Sequence, residues 1–204
     1  RVKVKRCGQY GVLLAGDTSA SPFSSGGQGM VLRDSLIDMT GIPSGACTGI
    51  IAVEYFPRGP IGFLATPGPL IVGNTILGDH ADAGIKIGQA TGGRILGNTI
   101  TGPDCSTSTG AIDLAPGETN SIVDGNTIKS TRLGIVFGGL PRSFATGGNE
   151  LRTSKVVISN NTLNFISAIG FFSSDGTDDV LIEGNNVSLD TGAPTSTQCF
   201  NLSP

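Results

Sequence analysis

Apolar residues in this chain recur at every second position over short runs, and the runs themselves recur. Ile71-Val72-Gly73-Asn74-Thr75-Ile76 returns as Ile95-Leu96-Gly97-Asn98-Thr99-Ile100 and as Val123-Asp124-Gly125-Asn126-Thr127-Ile128. Val157-Ile158-Ser159-Asn160-Asn161-Thr162-Leu163 and Leu181-Ile182-Glu183-Gly184-Asn185-Asn186-Val187 complete the series. Between these copies stands a second motif, a Gly or Ala followed by alternating apolar residues. It reads Gly84-Ile85-Lys86-Ile87, Ala111-Ile112-Asp113-Leu114, Gly134-Ile135-Val136-Phe137 and Gly170-Phe171-Phe172-Ser173. A period of two is strand spacing. No window sustains a helical period, and Gly, Asn and Thr interrupt every copy, which argues against a helical solenoid.

The recurrent asparagines Asn74, Asn98, Asn126, Asn161 and Asn185 are separated by 24, 28, 35 and 24 residues. Self-similarity at this period marks a solenoid, in which each unit buries its apolar face only against its neighbours. Each unit holds two or three short strands joined by bends. Asn tolerates the left-handed backbone conformation of such a bend. Stacked at one corner of successive coils, Asn side chains can also bond to each other as a ladder. The variable spacing places insertions in loops while the strand motifs stay in register.

These copies, an "I-x-G-N-T-I" followed by a "G-I-x-I", resemble the parallel β-helix repeat of the pectate-lyase-like superfamily. The likeness extends over about residues 30 to 190. It implies an all-β fold, a right-handed parallel β-helix solenoid of about seven coils; the hand agrees with the right-handed crossover rule. At one strand spacing per coil such a rod is roughly 30 to 35 Å long. A single domain over 1–204 is expected, with irregular N-terminal coils at 1–70, regular coils at 71–189 and a C-terminal strand or tail at 190–204.

Several details follow. Arg1 to Arg6 alternates basic and apolar residues and predicts a strand with Val2 and Val4 inward. Val31-Leu32-Arg33-Asp34-Ser35-Leu36 aligns with the Asn motif, with Asp34 in the Asn position. Pro57, Pro60, Pro67 and Pro69 cannot donate ladder hydrogen bonds, so residues 55–70 read as a loop or an edge segment. The longest insertion of the regular array lies at about 138–154, and Gln198 to Leu202 reads as one further strand. No amphipathic capping helix is evident at either end. The open ends imply either a larger parent polypeptide or a homo-oligomer whose copies cover them.

Composition narrows the function classes. Charged residues are 14% of the chain against about 25% in ordinary domains. The net charge is −3, with no basic run to track a phosphate backbone, so nucleic acid is not an expected partner. No apolar run approaches the ~18 residues of a membrane span. The cysteines Cys7, Cys47, Cys105 and Cys199 show no CxxC spacing, which disfavours zinc. Cys7 with Cys47 is the favoured bridge, and burial as small apolar residues is the alternative.

Candidate chemistry concentrates in Asp79-His80-Ala81-Asp82, ahead of the strand Gly84-Ile85-Lys86-Ile87. His80 is the single histidine, and the carboxylates beside it can orient it as a general acid or base. Alternation turns Lys86 outward, and Asp113 outward one coil on, so the two are expected side by side about 5 Å apart. The bland reading of that pair is a cross-strand salt bridge. Arg94 and Asp104 in flanking bends would complete a polar cleft. No cofactor is implied; calcium held by Asp79, Asp82 and Asp113 is the one metal reading. The superfamily resemblance implies a polysaccharide partner, with a cation neutralising a uronate while a base removes the C5 proton, or two acids hydrolysing a glycosidic bond. The Gly-His-Gly and Asn-Thr-Asp of polygalacturonases and the Asp-Pro-His of alginate epimerases do not occur in the sequence. Two functions are therefore expected. The first is an extracellular module that binds or processes polysaccharide on a lateral face. The second is a non-catalytic structural or adhesive protein of a cell or virion surface, a fibre, tailspike or filament component assembled through its ends.

Overall fold

The computed structural model describes residues 1–5, 10–15, 30–40, 48–53, 66–78, 83–88, 90–102, 110–115, 117–138, 152–173, 176–189 and 198–202. Every named element among them is a strand, and every strand pairing is parallel. The strands stack into three long walls. Wall A comprises Lys3–Lys5, Leu36–Met39, Thr75–Gly78, Thr99–Thr101, Thr127–Lys129, Thr162–Ile166 and Asn186–Leu189. Wall B comprises Tyr10–Ala15, Thr48–Val53, Ile85–Gly88, Ile112–Ala115, Leu133–Phe137, Ile169–Ser173 and Gln198–Leu202. Wall C comprises Val31–Arg33, Leu70–Val72, Arg94–Leu96, Ile122–Asp124, Val157–Ser159 and Leu181–Glu183. A narrow fourth ladder pairs Thr66–Pro67 with Ala90–Thr91, continues through bridges at Thr119 and Ser154, and ends on Thr177–Asp178. Pro67 thus lies on an edge strand, where its missing donor does no harm.

The chain visits wall A, wall B and wall C in turn, then begins the next rung one strand spacing along. The repeated hexapeptide spans a corner: its first half is a wall C strand and its second half a wall A strand. The Gly-Ile-x-Ile motif is wall B. Each coil therefore holds three main strands. Inward positions form columns of like residues: Ile37, Ile76, Ile100, Ile128 and Leu163 in wall A, and Ile71, Ile95, Val123 and Ile158 in wall C, all fully buried. In wall B the column runs Ile85, Ile112, Ile135 and Phe171, and Phe171 stacks on Phe200 with ring centroids 5.1 Å apart. Each such side chain contributes about 1.5–3 kcal/mol of burial.

The corner between walls C and A is always two residues. Its first residue is left-handed at Asp34, Gly73, Gly97, Gly125, Asn160 and Gly184, with φ between 49° and 64°. Gly adopts that conformation without a Cβ penalty, and Asn and Asp tolerate it. The second residue is the ladder asparagine. In each of the first three steps, from Asn74 to Asn98, Asn126 and Asn161, the backbone N–H and Nδ2 of one both donate to Oδ1 of the next, at 2.9–3.0 Å. The last step, Asn161 to Asn185, repeats this at 2.8 and 2.9 Å. Nδ2 also donates to a carbonyl of the preceding coil, as Asn98 does to Ile71 and Asn126 to Ile95. The stacked column is as the sequence predicts, but the left-handed turn falls on the residue before each ladder Asn.

Two N-terminal expectations are corrected by the same register. Ser35, not Asp34, occupies the Asn position: its N–H donates to Asn74 Oδ1 at 3.1 Å, while Asp34 takes the left-handed site at φ 49°. Val4 faces inward opposite Ile37, but Val2 precedes the strand and is 45% exposed. The favoured Cys7–Cys47 bridge and most of the 138–154 insertion lie outside the described residues.

The outer faces of the walls differ in chemistry. Wall A presents Thr75, Thr99, Thr127 and Thr162 in one column. Wall C presents two columns: Val31, Leu70, Arg94, Ile122, Val157 and Leu181; and Arg33, Val72, Leu96, Asp124, Ser159 and Glu183.

Candidate functional site

Wall B carries the predicted pair. Its inward residues Ile85, Ile87, Ile112 and Leu114 fix the alternation, so Lys86 and Asp113 point out from the core on adjacent strands in direct register. Lys86 Nζ lies 3.1 Å from Asp113 Oδ2. The expected proximity is therefore met, and so is the cross-strand salt bridge. Asp113 is only 6% exposed although it faces outward, as is Val136 on the next strand. Phe172, outward on the strand after that, is half-buried, so of the Phe171 and Phe172 pair it is Phe171 that joins the core. A carboxylate so enclosed keeps its charge only beside a cation and hydrogen-bond donors.

Asp79, His80 and Asp82 lie outside the described residues, as does Asp104. Arg94 does not flank the pair from a bend: it opens the strand Arg94–Leu96 and stands exposed on the outer face of wall C. Among the described residues no group of three His, Cys, Asp or Glu is placed to hold a metal ion. The calcium reading drew on Asp79 and Asp82 as well as Asp113 and so falls mostly outside that set.

Two polar features escaped the sequence reading. On the narrow ladder, Arg152 forms a forked pair with Asp178: Nε donates to Oδ2, and Nη2 donates to Oδ1 at 2.6 Å. This hydrogen bond, with the nearby guanidinium charge, holds the Asp178 carboxyl below the usual carboxylate range against a smaller opposing effect of burial. A depressed carboxyl contributes stability above its unfolded pKa, near 4, and loses it as pH falls through the folded value. In urea melts, Asp178→Asn is expected to lower the midpoint at pH 7, and the gap to the native chain is expected to close in the acid range below about pH 4. The second feature is Glu118, fully buried, which accepts a hydrogen bond from the Ser121 hydroxyl just before wall C. Neither feature is periodic along the sequence, so the repeat gave no signal for them.

No family model matches the chain, and no curated protein matches it. Among solved structures it is similar to the A-module of the mannuronan C-5 epimerase AlgE4 from Azotobacter vinelandii, with a TM-score of 0.54 over 99% of this chain. The fold is a parallel β-helix. The chain spans 50% of the length of that solved chain, at 14% identity. At that identity the likeness speaks for the winding of the backbone and for no individual site residue. Among the described residues no helix is long and apolar enough to cross a membrane.

Proposed function

We propose that this chain is a module of the extracellular space, or of a cell or virion surface, that binds or processes an acidic polysaccharide along the outer face of wall B. The observation that carries this reading is the Lys86–Asp113 pair, a cation and a carboxylate in register on a lateral face. A parallel β-helix with a similar winding is a mannuronan epimerase module, and mannuronan is a polymer of uronates. On this reading Lys86 meets the uronate carboxylate. Neutralising that charge makes the sugar's C5 proton easier to remove, and His80, five residues ahead of Ile85 in the sequence, is the base oriented by Asp79 and Asp82. In a hydrolytic version the carboxyl groups of Asp79, Asp82 and Asp113 supply the acid and its partner.

The test measures binding by calorimetry, and turnover by C5 inversion, unsaturated ends and reducing ends, on a panel of uronic-acid and neutral polymers. Lys86→Ala is expected to weaken binding of uronate polymers by about tenfold, in the range of one charged contact, while Lys86→Arg retains most of it. His80→Ala and Asp113→Ala are expected to lower turnover by about 10²–10⁴-fold. If all three alanine variants bind and turn over the panel as the native chain does, the reading is wrong.

A second reading, a structural or adhesive protein assembled through its ends, has its own support. Among the described residues, the exposed large apolar side chains Val2, Val31, Leu181 and Phe200, at 45–54%, lie in or beside the first or last rung. Assembly through those rungs joins unlike surfaces and grows without closing. Light scattering that shows species lengthening with concentration supports it, and a strict monomer rejects it.

A further inference from the structure

We propose that the outer face of wall C is an interface on which a second copy of this chain packs, antiparallel, to close a dimer. Walls A and C of the same coil contrast in composition. Wall A strands read Thr-Ile-Leu, Thr-Ile-Thr and Thr-Ile-Lys, apolar on the core side and mainly polar outside. Wall C strands of the same coils read Leu-Ile-Val, Arg-Ile-Leu and Ile-Val-Asp. Near-continuous apolar runs are the signature of strands covered on both faces. Among the described residues the inward column of wall C is buried from Leu32 to Ile158, while on the outer face Val31 is 54% and Leu181 49% exposed and Leu70, Val72, Leu96, Ile122 and Val157 are partly exposed. Side chains in the middle of a parallel ladder are shielded by their neighbours above and below, so partial exposure there is outward exposure.

The charges on this face select the occupant. They are unevenly placed: Arg33 and Arg94 stand toward the N-terminal rungs, Asp124 and Glu183 toward the C-terminal rungs. A two-fold axis along the strand direction lays the first strand of one copy over the last strand of the other. Arg33 then faces Glu183 of the second copy, Val31 faces Leu181, Leu70 faces Val157, and Arg94 reaches toward Asp124 across Ile122. Arg33 meets a carboxylate directly and apolar residues meet at Val31 and Leu70, while at the centre Arg94 faces Ile122 and Asp124 faces Leu96, so those two charges pair only diagonally. A two-fold along the rod instead sets Arg33 against Val31 and Glu183 against Leu181, which leaves these end charges unmatched and brings only Arg94 near Asp124. The end charges Arg33 and Glu183 are therefore matched in one orientation and not in the other, and a face matched to itself is the condition for an isologous dimer. Six strands measure about 24 Å across, and two outward columns about 10 Å, at standard strand dimensions. That stripe is below the ~800 Å² per partner of a standard interface. The dimer expected is thus a dissociating one, populated at tens to hundreds of micromolar.

Sedimentation equilibrium of the 204-residue chain from about 10 µM to about 1 mM tests this. The native chain is expected to move between monomer and dimer, with nothing larger. Arg33→Glu and Glu183→Arg each place like charges together twice per dimer and are expected to weaken association on the order of tenfold. The doubly exchanged R33E/E183R chain is expected to recover it. Mixing the two single variants is expected to give a heterodimer tighter than either homodimer. Val157→Lys, opposite Leu70 of the second copy, is expected to leave a monomer with an unchanged circular dichroism spectrum. A native chain that stays monomeric at 1 mM, single variants that associate as the native chain does, a double exchange that fails to recover, or open-ended growth would each overturn the proposal.

Discussion

Replacing Asn126 by alanine is expected to destabilise the fold by about 3–5 kcal/mol, the sum of two or three buried polar groups left without partners. Asn126 is fully buried. Its Oδ1 is the acceptor for both the backbone N–H and the Nδ2 of Asn98, and its own Nδ2 donates to the Ile95 carbonyl and to Asn161 Oδ1. Alanine deletes all four, together with a longer bond from Nδ2 to the Asp124 carbonyl at 3.2 Å. Asn126→Asp is the informative companion. It keeps an acceptor for Asn98 but turns an oxygen toward the Ile95 carbonyl, so it is expected to fail nearly as badly at neutral pH. Asn185→Ala at the last rung is expected to cost less, because Asn185 is half-buried and solvent can replace part of what is lost. Equilibrium urea unfolding of the three variants reads these differences. Equal losses at Asn126 and Asn185 would mean that enclosure is not what gives the ladder its strength.

Gly134→Ala is expected to cost about 3 kcal/mol, at the upper end of ordinary overpacking. A Cβ at that position would stand 2.3 Å from the Gly170 carbonyl oxygen and 2.4 Å from Leu163 Cδ2. The first contact is backbone and cannot rotate away. Gly84, Ala111, Gly134, Gly170 and Cys199 occupy one column of wall B, each just ahead of its inward apolar residue. Ala111 shows that the column accepts a methyl in one coil, so the effect belongs to the closeness of the coil above Gly134 and not to strand geometry in general. Ala111→Gly is accordingly expected to lose only about 1–2 kcal/mol, the backbone entropy of a glycine together with one buried methyl. Thermal or urea melts of the pair give the comparison, and similar losses for the two would remove the argument from crowding.

Much of this architecture was legible because the repeat exposes it several times over. Period-two alternation in Gly84-Ile85-Lys86-Ile87 and Ala111-Ile112-Asp113-Leu114 was enough to place Lys86 beside Asp113, since register in a stacked coil is set by the inward residues. The Asn column was legible for the same reason. What failed was local. Asp34 looked like the ladder residue because Asp resembles Asn, yet the corner needs a left-handed residue first and a ladder residue second, and Ser35 fills the second place. Val2 looked like core because alternation alone does not say where a strand begins. Arg152 with Asp178, and Glu118 with Ser121, sit on segments whose length varies from coil to coil, so no periodic signal marks them. The outer face of wall C was visible only as runs such as Leu70-Ile71-Val72, whose two-sided apolar character is ambiguous until one side is seen to be filled.

The asparagine column also has a sense. Every amide in it presents its oxygen toward the first rung and its NH₂ toward the last, so the side-chain dipoles add head to tail, and each bond polarises the next. A coil can therefore be duplicated or removed in line with its neighbours without disturbing this order. A coil inverted end for end would set oxygen against oxygen. Growth and shrinkage of the rod are open to evolution and to engineering in whole-coil steps, but only along one direction of the chain.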